Sequence, residues 1–299
     1  MNLSLLPDLI PLLALYGNSK MKKILLALLA LSCSYTTLAN ERIVVAGGSL
    51  TELVYALGAG KQVVAVDETT TWPPESAKLP HIGYWKQLSV EGILSLNPSL
   101  FITWQDAGPQ VIFDQLKTQQ IEVLTLPRIP ATVEQMYNNI GTLAQALNLK
   151  PEGEKLVTQL RERLANVTQK NTARGQTVNV LFILSAGSSA PQIAGKGSVA
   201  DIILTLAGAN NLASHSQYKS YSAEAIIAAN PEVIIVTSQM AENGIDKLNL
   251  VPGITHTSAW KNKRIVTIDQ ALILGMGPRI ADAVEQLNHA FWPDAHEQE

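Results

Sequence analysis

After Asn40, the hydrophobic and polar positions alternate between short, continuous apolar runs and longer segments of helical periodicity. Apolar runs of this length are typical of strands buried on both faces, as in parallel sheets. The predicted strands are ERIVVAG, KQVVAVD, PSLFITW, IEVLTLP, VNVLFILSA, EVIIVTS and RIVTID. The predicted helices are SLTELVYALGA, SVEGILSLN, a segment around 108–119, TVEQMYNNIGTLAQALN, SVADIILTLAGA, SAEAIIAAN and RIADAVEQLNHAFW. This alternation favours an α/β fold with helical crossovers between mostly parallel strands.

One long helix is predicted at residues 151–171, PEGEKLVTQLRERLANVTQKN. Pro151 stands at its start, and acidic residues precede basic ones, as the helix dipole favours. The pattern of strands and helices restarts after it, so we expect two similar α/β lobes at 40–150 and 172–299. No linker rich in Gly, Ser and Pro separates them, which predicts a rigid joint.

The two predicted lobes share a repeated segment. SVEGILSLNPSLFIT and SAEAIIAANPEVIIVT each combine a serine, a glutamate two residues later, an Asn-Pro pair and a buried strand. A serine in this position caps the helix, and a glutamate in the first turn is favoured by the helix dipole. The repeat therefore predicts similar structure in both lobes, with Glu91 and Glu224 at equivalent positions.

The N-terminal segment 1–39 has the layout of an upstream extension and a secretory signal. A chain beginning at Met21 would start with two lysines, continue with an apolar run and reach the small residues before Asn40. The apolar run is too short to span a membrane, so we expect cleavage after Ala39. The single cysteine, Cys33, lies inside this segment. Acylation at Cys33 is the less favoured alternative, because leucine is expected where Ala30 stands.

Composition and motifs argue against several classes of function. A net charge of −3 and the lack of basic blocks argue against nucleic-acid binding. AGKGS at 194–198 lacks the spacing of a phosphate loop, and AGGSLTE lacks that of a dinucleotide motif. Because no catalytic triad, carboxylate dyad or nucleophile elbow is recognisable, we do not expect an enzyme. The distinctive feature is GYWK at 83–86, which precedes the repeated helix in the first lobe only.

Taken together, ERIVVAGGSLTELVYALG, VDETTTWPP, LPHIGYWKQLSVEGILSLNPSLFI and GPRIADAVEQL resemble the periplasmic haem-binding proteins of bacterial ABC importers. That family lies within a group that also binds cobalamin and ferric siderophores, and the resemblance covers residues 41–293. It implies a monomer in the periplasm that carries ferric haem in a cleft between the lobes. It also implies delivery to an inner-membrane permease and its ATPase, with Glu91 and Glu224 pairing with permease arginines.

The resemblance implies that Tyr84 is the axial ligand of the haem iron. A phenolate is a hard anionic ligand suited to ferric iron, and tyrosine ligation of haem is established chemistry. Iron itself favours loss of the phenol proton. Where the family commonly has an arginine, this chain has Lys86, which carries charge but lacks the fork geometry. We expect one haem with Tyr84 as its ligand.

Other pocket residues are predicted by position. Trp85 and Trp72 are candidates for walls against the ring, with plain packing as the alternative. Tyr218 stands before Glu224 much as Tyr84 stands before Glu91, so it is a candidate for the facing wall. The remaining candidates are Lys219 and Arg279 as partners of the propionates, with solvated surface charge as the alternative, and His81 as a neighbour of the cleft.

Three alternatives remain open at this point. The same scaffold could bind cobalamin or a ferric siderophore, although siderophore sites usually need several cations and the GYWK loop has one lysine. A zinc or manganese receptor needs about three histidines and a carboxylate around one ion. The five histidines are scattered, which argues against it. The third alternative is an exported enzyme or a haem chaperone without a transporter.

Overall fold

A computed structural model of the chain describes residues 41–185, 190–242 and 244–293. The predicted signal peptide and start site therefore lie outside the described residues. Within the described ranges, no helix combines the length and the apolar character that a membrane span requires.

The secondary structure follows the predicted alternation. The strands are β1 (Ile43–Ala46), β2 (Val63–Val66), β3 (Leu100–Trp104), β4 (Glu122–Leu126), β5 (Val178–Ser185), β6 (Gln192–Ala194), β7 (Ala209–Asn211), β8 (Tyr218–Ser220), β9 (Val233–Thr237) and β10 (Ile265–Ile268). The α-helices are α1 (Gly48–Ala56), α2 (Val90–Leu94), α3 (Val111–Thr118), α4 (Val133–Ala146), α5 (Lys150–Arg174), α6 (Val199–Leu206), α7 (Ala223–Ala229), α8 (Ser258–Lys261), α9 (Gln270–Leu274) and α10 (Ile280–Phe291).

The strands form two sheets. The first has the order β2-β1-β3-β4 and is parallel throughout. The second has the order β10-β9-β5-β6-β8, with β7 paired to β5. There β10, β9, β5 and β7 are parallel, whereas β6 pairs antiparallel with both β5 and β8. The predicted fold class, α/β with mostly parallel central sheets, is confirmed, and the antiparallel edge is an addition to it.

The long predicted helix is α5, Lys150–Arg174, which is slightly longer at both ends than the predicted 151–171. Its C-terminal end is set by Gly175, whose φ of 66° is a left-handed conformation that glycine adopts without steric cost. In sequence, the helix lies between the strands of the first sheet and the strands of the second. The lobe boundaries at 150 and 171 themselves stay predictions.

A continuous hydrophobic core joins the two sheets. It includes Phe101 of β3, the buried face of α5 around Leu160 and Leu164, and Phe182 of β5. A second, smaller cluster covers the opposite face of the second sheet and contains Leu181, because adjacent residues of a strand point to opposite faces. Since α5 contributes to the core that both sheets share, the structure supports a stiff connection rather than a flexible linker.

Polar contacts add to this connection. The Arg163 guanidinium on α5 donates to Asp282 and Glu285 of α10 at 2.5–2.9 Å. One turn from the end of α5, the Asn171 side chain accepts a hydrogen bond from Asn288 of α10 at 2.7 Å. These bonds fix α5 against the helix that closes the second half of the chain.

The repeated segment has the same local structure in both halves. Ser89 caps α2 by accepting from the Gly92 N–H at 3.4 Å, and Ser222 caps α7 by accepting from the Ala225 N–H at 3.3 Å. The asparagines that precede the two prolines are both left-handed, with φ of 46° at Asn97 and 40° at Asn230. Each segment then enters a fully buried strand, β3 or β9. The predicted repeat is confirmed.

Candidate functional site

A cavity of about 660 Å³ is lined by residues from both halves of the chain. Its volume is within the range of roughly 300–1,000 Å³ that small-molecule and cofactor sites occupy. The first half contributes Gly48, Ser49, Glu52, Glu68, Thr69, Thr71, Tyr84, Trp85, Lys86, Trp104, Arg128 and Ile129. The second half contributes Leu184, Val199, Gln217, Tyr218, Gln239, Asp269, Gln270, Ala271, Leu274, Gly275 and Met276.

The GYWK loop places its side chains at this cavity. Gly83 has a φ of 87°, and its carbonyl accepts from the Glu68 N–H at 3.0 Å, which ties the loop to the segment after β2. A turn follows in which the Gln87 N–H donates to the Tyr84 carbonyl at 2.7 Å. The backbone therefore fixes where Tyr84 and its neighbours point.

Tyr84 is exposed in the loop and packs against the buried Trp85. The Tyr84 side chain is 38% exposed and packs edge-on against Trp85, with ring centroids 5.6 Å apart. Trp85 is 8% exposed and belongs to the hydrophobic core. Among the described residues, the Tyr84 hydroxyl has no hydrogen-bond partner, so the phenol is available to a ligand. Trp85 both packs in the core and lines the cavity, and its role as a wall against a ligand ring stays a prediction.

Lys86 completes the loop at the cavity wall. Its Nζ lies 4.9 Å from the centroid of the Trp85 ring, a cation–π contact. This places a positive charge one residue from the indole and two from Tyr84. The structure thus brings together the three residues that were predicted from the motif.

Tyr218 lines the cavity from the second half of the chain, on β8. Burial raises the pKa of Tyr218 to about 12, although a hydrogen bond with the Ser198 side chain acts in the opposite direction. Burial thus disfavours the phenolate of Tyr218, and its role as the facing wall of the site stays a prediction.

Four predicted pocket residues are not among those that line the cavity: Trp72, His81, Lys219 and Arg279. His81 lies in an isolated bridge with Val66, and its Nε2 contacts the Ala77 carbonyl oxygen at 3.2 Å. Lys219 is exposed and pairs with Ile193 in the second sheet. Their predicted roles beside the ligand stay predictions.

Arg279 makes a different contact from the predicted one. Its Nε and Nη2 donate to the two carboxylate oxygens of Glu52 on α1 at 3.0 and 2.5 Å. The Trp72 ring covers this guanidinium at 5.0 Å. Because both Nε and Nη2 are engaged and the residue is largely buried, Arg279 is a link between the two halves rather than a surface cation.

Arg128 is a cavity residue that the sequence analysis did not identify. It follows β4 and lines the cavity, its guanidinium carbon lies 5.3 Å from the Trp85 centroid, and it forms a 2.6 Å ion pair with Asp106. Arg128 belongs to no motif, but ligand sites in α/β folds lie at the carboxyl ends of the strands. That rule could have pointed to the residues following β4.

Glu91 and Glu224 lie in the first turns of α2 and α7, both fully exposed. Their own backbone N–H groups lower the pKa of each carboxyl, and the capping serines Ser89 and Ser222 lower it further. Ser89 donates to the Glu91 carboxylate at 2.8 Å. Each helix thus presents an ionised carboxylate to solvent, and the predicted docking role of the two residues stays a prediction.

Within the described residues, no group of three His, Cys, Asp or Glu side chains is positioned to hold a metal ion. Among the described residues, the cavity lining combines aromatic and aliphatic side chains, the available Tyr84 phenol, two cations and three acidic side chains. A largely apolar ligand with an electrophilic centre and a negative group could contact the phenol and the two cations.

Residues 43–272 match the profile of a family described as periplasmic binding protein. Among solved structures, the chain is similar to the periplasmic heme-binding protein RhuT from Roseiflexus sp. RS-1 in apo form. The TM-score is 0.79 and the identity 36%, covering 84% of this chain and 98% of that one. The heme-binding protein HutB of Vibrio cholerae has a TM-score of 0.78 and 33% identity, with 85% and 100% covered. A vitamin B12-binding protein from Photorhabdus laumondii subsp. laumondii is 26% identical over 248 residues, 82% of this chain and 86% of its own.

Proposed function

The chain belongs to the periplasmic binding protein family, in the branch that binds haem, cobalamin or siderophores, and we propose that its ligand is ferric haem. In this proposal the haem lies in the cavity between the two halves of the chain with Tyr84 on its iron. The loaded protein then docks on an inner-membrane ABC permease and its ATPase. The precursor is exported to the periplasm by the signal at 21–39 and cleaved after Ala39.

The observation that carries the proposal is the Tyr84 phenol, which has no protein partner in the described residues and lies at the wall of a cavity of ligand size. A phenolate binds ferric iron strongly, and the aromatic and aliphatic lining offers apolar surface to a porphyrin face. Two structures that resemble this chain at 33–36% identity are named as heme-binding proteins. Both observations support ferric haem as the ligand.

Cobalamin is the second candidate, because the vitamin B12-binding relative is 26% identical over most of this chain. Two features favour haem over it. The GYWK loop provides a hard anionic ligand, and two solved structures named for heme match at 36% and 33% identity, above the 26% of the vitamin B12-binding relative. A titration with both ligands separates the candidates directly.

The test is an absorption titration of residues 40–299 with hemin, run beside Tyr84→Phe and Tyr218→Phe. Phe at position 84 keeps the edge-on contact with Trp85 and removes only the hydroxyl. We expect a saturating one-to-one spectrum of tyrosinate-bound ferric haem in the wild-type protein. Tyr84→Phe should lose that spectrum and bind at least about tenfold more weakly, since an iron–oxygen bond is lost. Tyr218→Phe, the matched control, should keep it.

Two results would contradict the proposal. An unchanged spectrum in Tyr84→Phe would remove Tyr84 as the ligand and leave the scaffold with another iron-binding group. Saturable binding of cyanocobalamin without saturable binding of hemin would assign the cavity to the corrinoid instead.

A further inference from the structure

Arg128 is held in one orientation at the cavity wall. Its Nη2 donates to Asp106 Oδ2 at 2.6 Å and its Nε to Asp106 Oδ1 at 3.4 Å. The guanidinium also packs on Trp85, with its carbon 5.3 Å from the ring centroid. One edge of the planar Arg128 guanidinium therefore binds a carboxylate, and one face packs on an aromatic ring. Little side-chain entropy remains to be lost when it binds a second partner.

The other end of the fork is not used. Among the described residues, Arg128 Nη1 has no hydrogen-bond acceptor, and the side chain is 28% exposed. A guanidinium has five N–H donors, and the two contacts with Asp106 leave the Nη1 pair available. Since Arg128 lines the cavity, a ligand that carries a carboxylate could accept from these donors.

Asp106 orients Arg128 without cancelling the local positive charge. Burial on its own would raise the pKa of Asp106, but the hydrogen bond and charge of Arg128, together with Lys86, lower it. Asp106 is therefore ionised at neutral pH. Arg128, Lys86 and Asp106 together leave one net positive charge around Trp85.

This cluster is the cationic part of the cavity. Lys86 and Arg128 are the basic side chains among the lining residues in the described ranges. The acidic lining residues are Glu52, Glu68 and Asp269. Glu52 is paired with Arg279, and Asp269 caps α9 by accepting from the Leu272 N–H at 3.1 Å. A negative group on a ligand would meet favourable charge at Arg128 and Lys86.

We propose that Arg128 binds a carboxylate of the ligand and thereby selects tetrapyrroles with free carboxylates over those whose side chains are esters or amides. The inference rests on the proposed haem function and deepens it. Haem carries two propionates at one edge of its ring, whereas corrinoids of the cobalamin type carry amides. An oriented arginine distinguishes them, because a charge-assisted bond to a carboxylate is about twice as strong as a neutral one.

The test compares hemin with hemin dimethyl ester, which has the same iron and macrocycle but no free carboxylates. Both are titrated in the same mild detergent into the wild-type protein, Arg128→Gln and Arg161→Gln. Arg161 is the matched control, because it also pairs with an acid, Glu134, and also packs on an aromatic ring, Tyr137, yet does not line the cavity.

We expect wild-type and Arg161→Gln to prefer hemin over the ester by about tenfold, the lower end of what a charge-assisted hydrogen bond contributes. Arg128→Gln should weaken hemin binding by about that factor, leave the ester unchanged and keep the tyrosinate spectrum. Arg128→Lys, which keeps the charge but not the fork, should fall between the two. Thermal melts of the variants check that each is folded.

Equal weakening of hemin and ester in Arg128→Gln would overturn the inference and assign Arg128 a role in positioning Trp85. So would an unchanged preference for hemin. If the wild-type protein bound neither compound, the haem function itself would fail, and that outcome is distinct from either result on the variant.

Discussion

At the scale of single residues, the two tyrosines of the cavity have different chemistry. Tyr84 is 38% exposed and lacks a hydrogen-bond partner among the described residues, whereas burial raises the pKa of Tyr218 to about 12. Forming a phenolate at Tyr218 would place a charge in a largely buried site, and the Ser198 side chain and the Arg128 charge offset that cost only in part. The same residue type therefore serves as the proposed iron ligand on one wall and as a neutral contact on the other.

Asp67 is connected to the cavity wall through hydrogen bonds. Its carboxylate is fully buried and accepts from the Thr69 hydroxyl at 2.9 Å and from the Thr70 hydroxyl at 3.2 Å. The Thr69 hydroxyl oxygen in turn accepts from the Gly48 N–H at 2.8 Å, and both Thr69 and Gly48 line the cavity. Burial raises the pKa of Asp67 above its ordinary 3.8, although these hydrogen bonds act against the shift.

This raised pKa predicts the pH dependence of stability. The folded state binds the Asp67 proton more tightly than the unfolded state, so the contribution is fully present below the ordinary carboxyl pKa. It is lost as the pH rises through the folded pKa. Asp67→Asn keeps the shape and cannot titrate. We expect the stability of the wild type relative to Asp67→Asn to decline as the pH rises, measured by urea unfolding from about pH 3 to about pH 8. Parallel profiles would show that Asp67 has the same pKa in both states.

Residues that a motif carries are predictable from the sequence, whereas residues that only the fold brings together are not. Tyr84, Trp85 and Lys86 were identifiable because they are consecutive. Arg128 is more than forty positions from Trp85 along the chain. It follows β4, which pairs with β3, and the segment after β3 is bonded to the GYWK loop, since the Gly108 N–H donates to the Trp85 carbonyl at 3.1 Å. For Arg279, no local pattern indicates that Glu52 faces it, and its predicted role as a propionate partner stays a prediction. Contacts between distant segments depend on packing that no local pattern encodes.

At the scale of elements, the buried strands were predictable because short apolar runs flanked by helical segments form few structures other than strands of a parallel sheet. The antiparallel strands β6 and β8 were not, since each is three residues long and carries polar residues. The short helix α8 has four residues and is started by a cap at Thr257 rather than by periodicity. Short elements at the edge of a sheet are determined by their neighbours, so sequence pattern alone gives little signal.

The two capped helices, α2 and α7, carry the proposed docking function. Each presents a fully exposed carboxylate whose pKa is lowered mainly by its own backbone N–H. Two fixed charges, one in each half, define an orientation that a single ion pair cannot. Charges at the rim of an interface mainly set the rate and orientation of association, so they should act on delivery and not on ligand capture.

We expect Glu91→Gln combined with Glu224→Gln to reduce haem uptake by at least about tenfold in cells that carry the permease and ATPase. Hemin binding by the purified variant should be unchanged, because neither residue lines the cavity. Glu122→Gln combined with Glu242→Gln removes the same net charge from other exposed positions and serves as the control. Equal uptake by the two double variants would contradict a specific docking role.

At the scale of the whole molecule, the two halves are joined by more than the chain. α5 lies in a core shared by both sheets, and Gly277 packs so closely on Ser49 of α1 that a Cβ there would lie 3.0 Å from the serine Cβ. The Glu52–Arg279 ion pair bridges the same two regions, with Glu52 7% exposed and Arg279 19%. A protein with these links should unfold as one unit rather than lobe by lobe.

Removing one partner of the Glu52–Arg279 pair should destabilise the protein more than replacing both partners with apolar residues. Burial raises the pKa of Glu52, and the hydrogen bond from Arg279 only partly offsets it, so the pair contributes little net stability over apolar side chains. Removing one partner leaves the other buried and unpaired. We therefore expect Glu52→Gln and Arg279→Gln each to lower the free energy of unfolding by about 3 kcal/mol. The double variant Glu52→Leu with Arg279→Met should lose less than either single change.

Urea unfolding of the three variants, followed by both fluorescence and circular dichroism, measures these differences. The control is the exposed pair Arg161–Glu134, whose atoms are 3.6 Å apart and whose loss should cost less than about 1 kcal/mol. If the double variant lost as much as the sum of the single changes, the two residues would not be coupled across the halves. If instead the two probes gave separate transitions in the single variants but one in the wild type, the pair would be the contact that makes the halves unfold together.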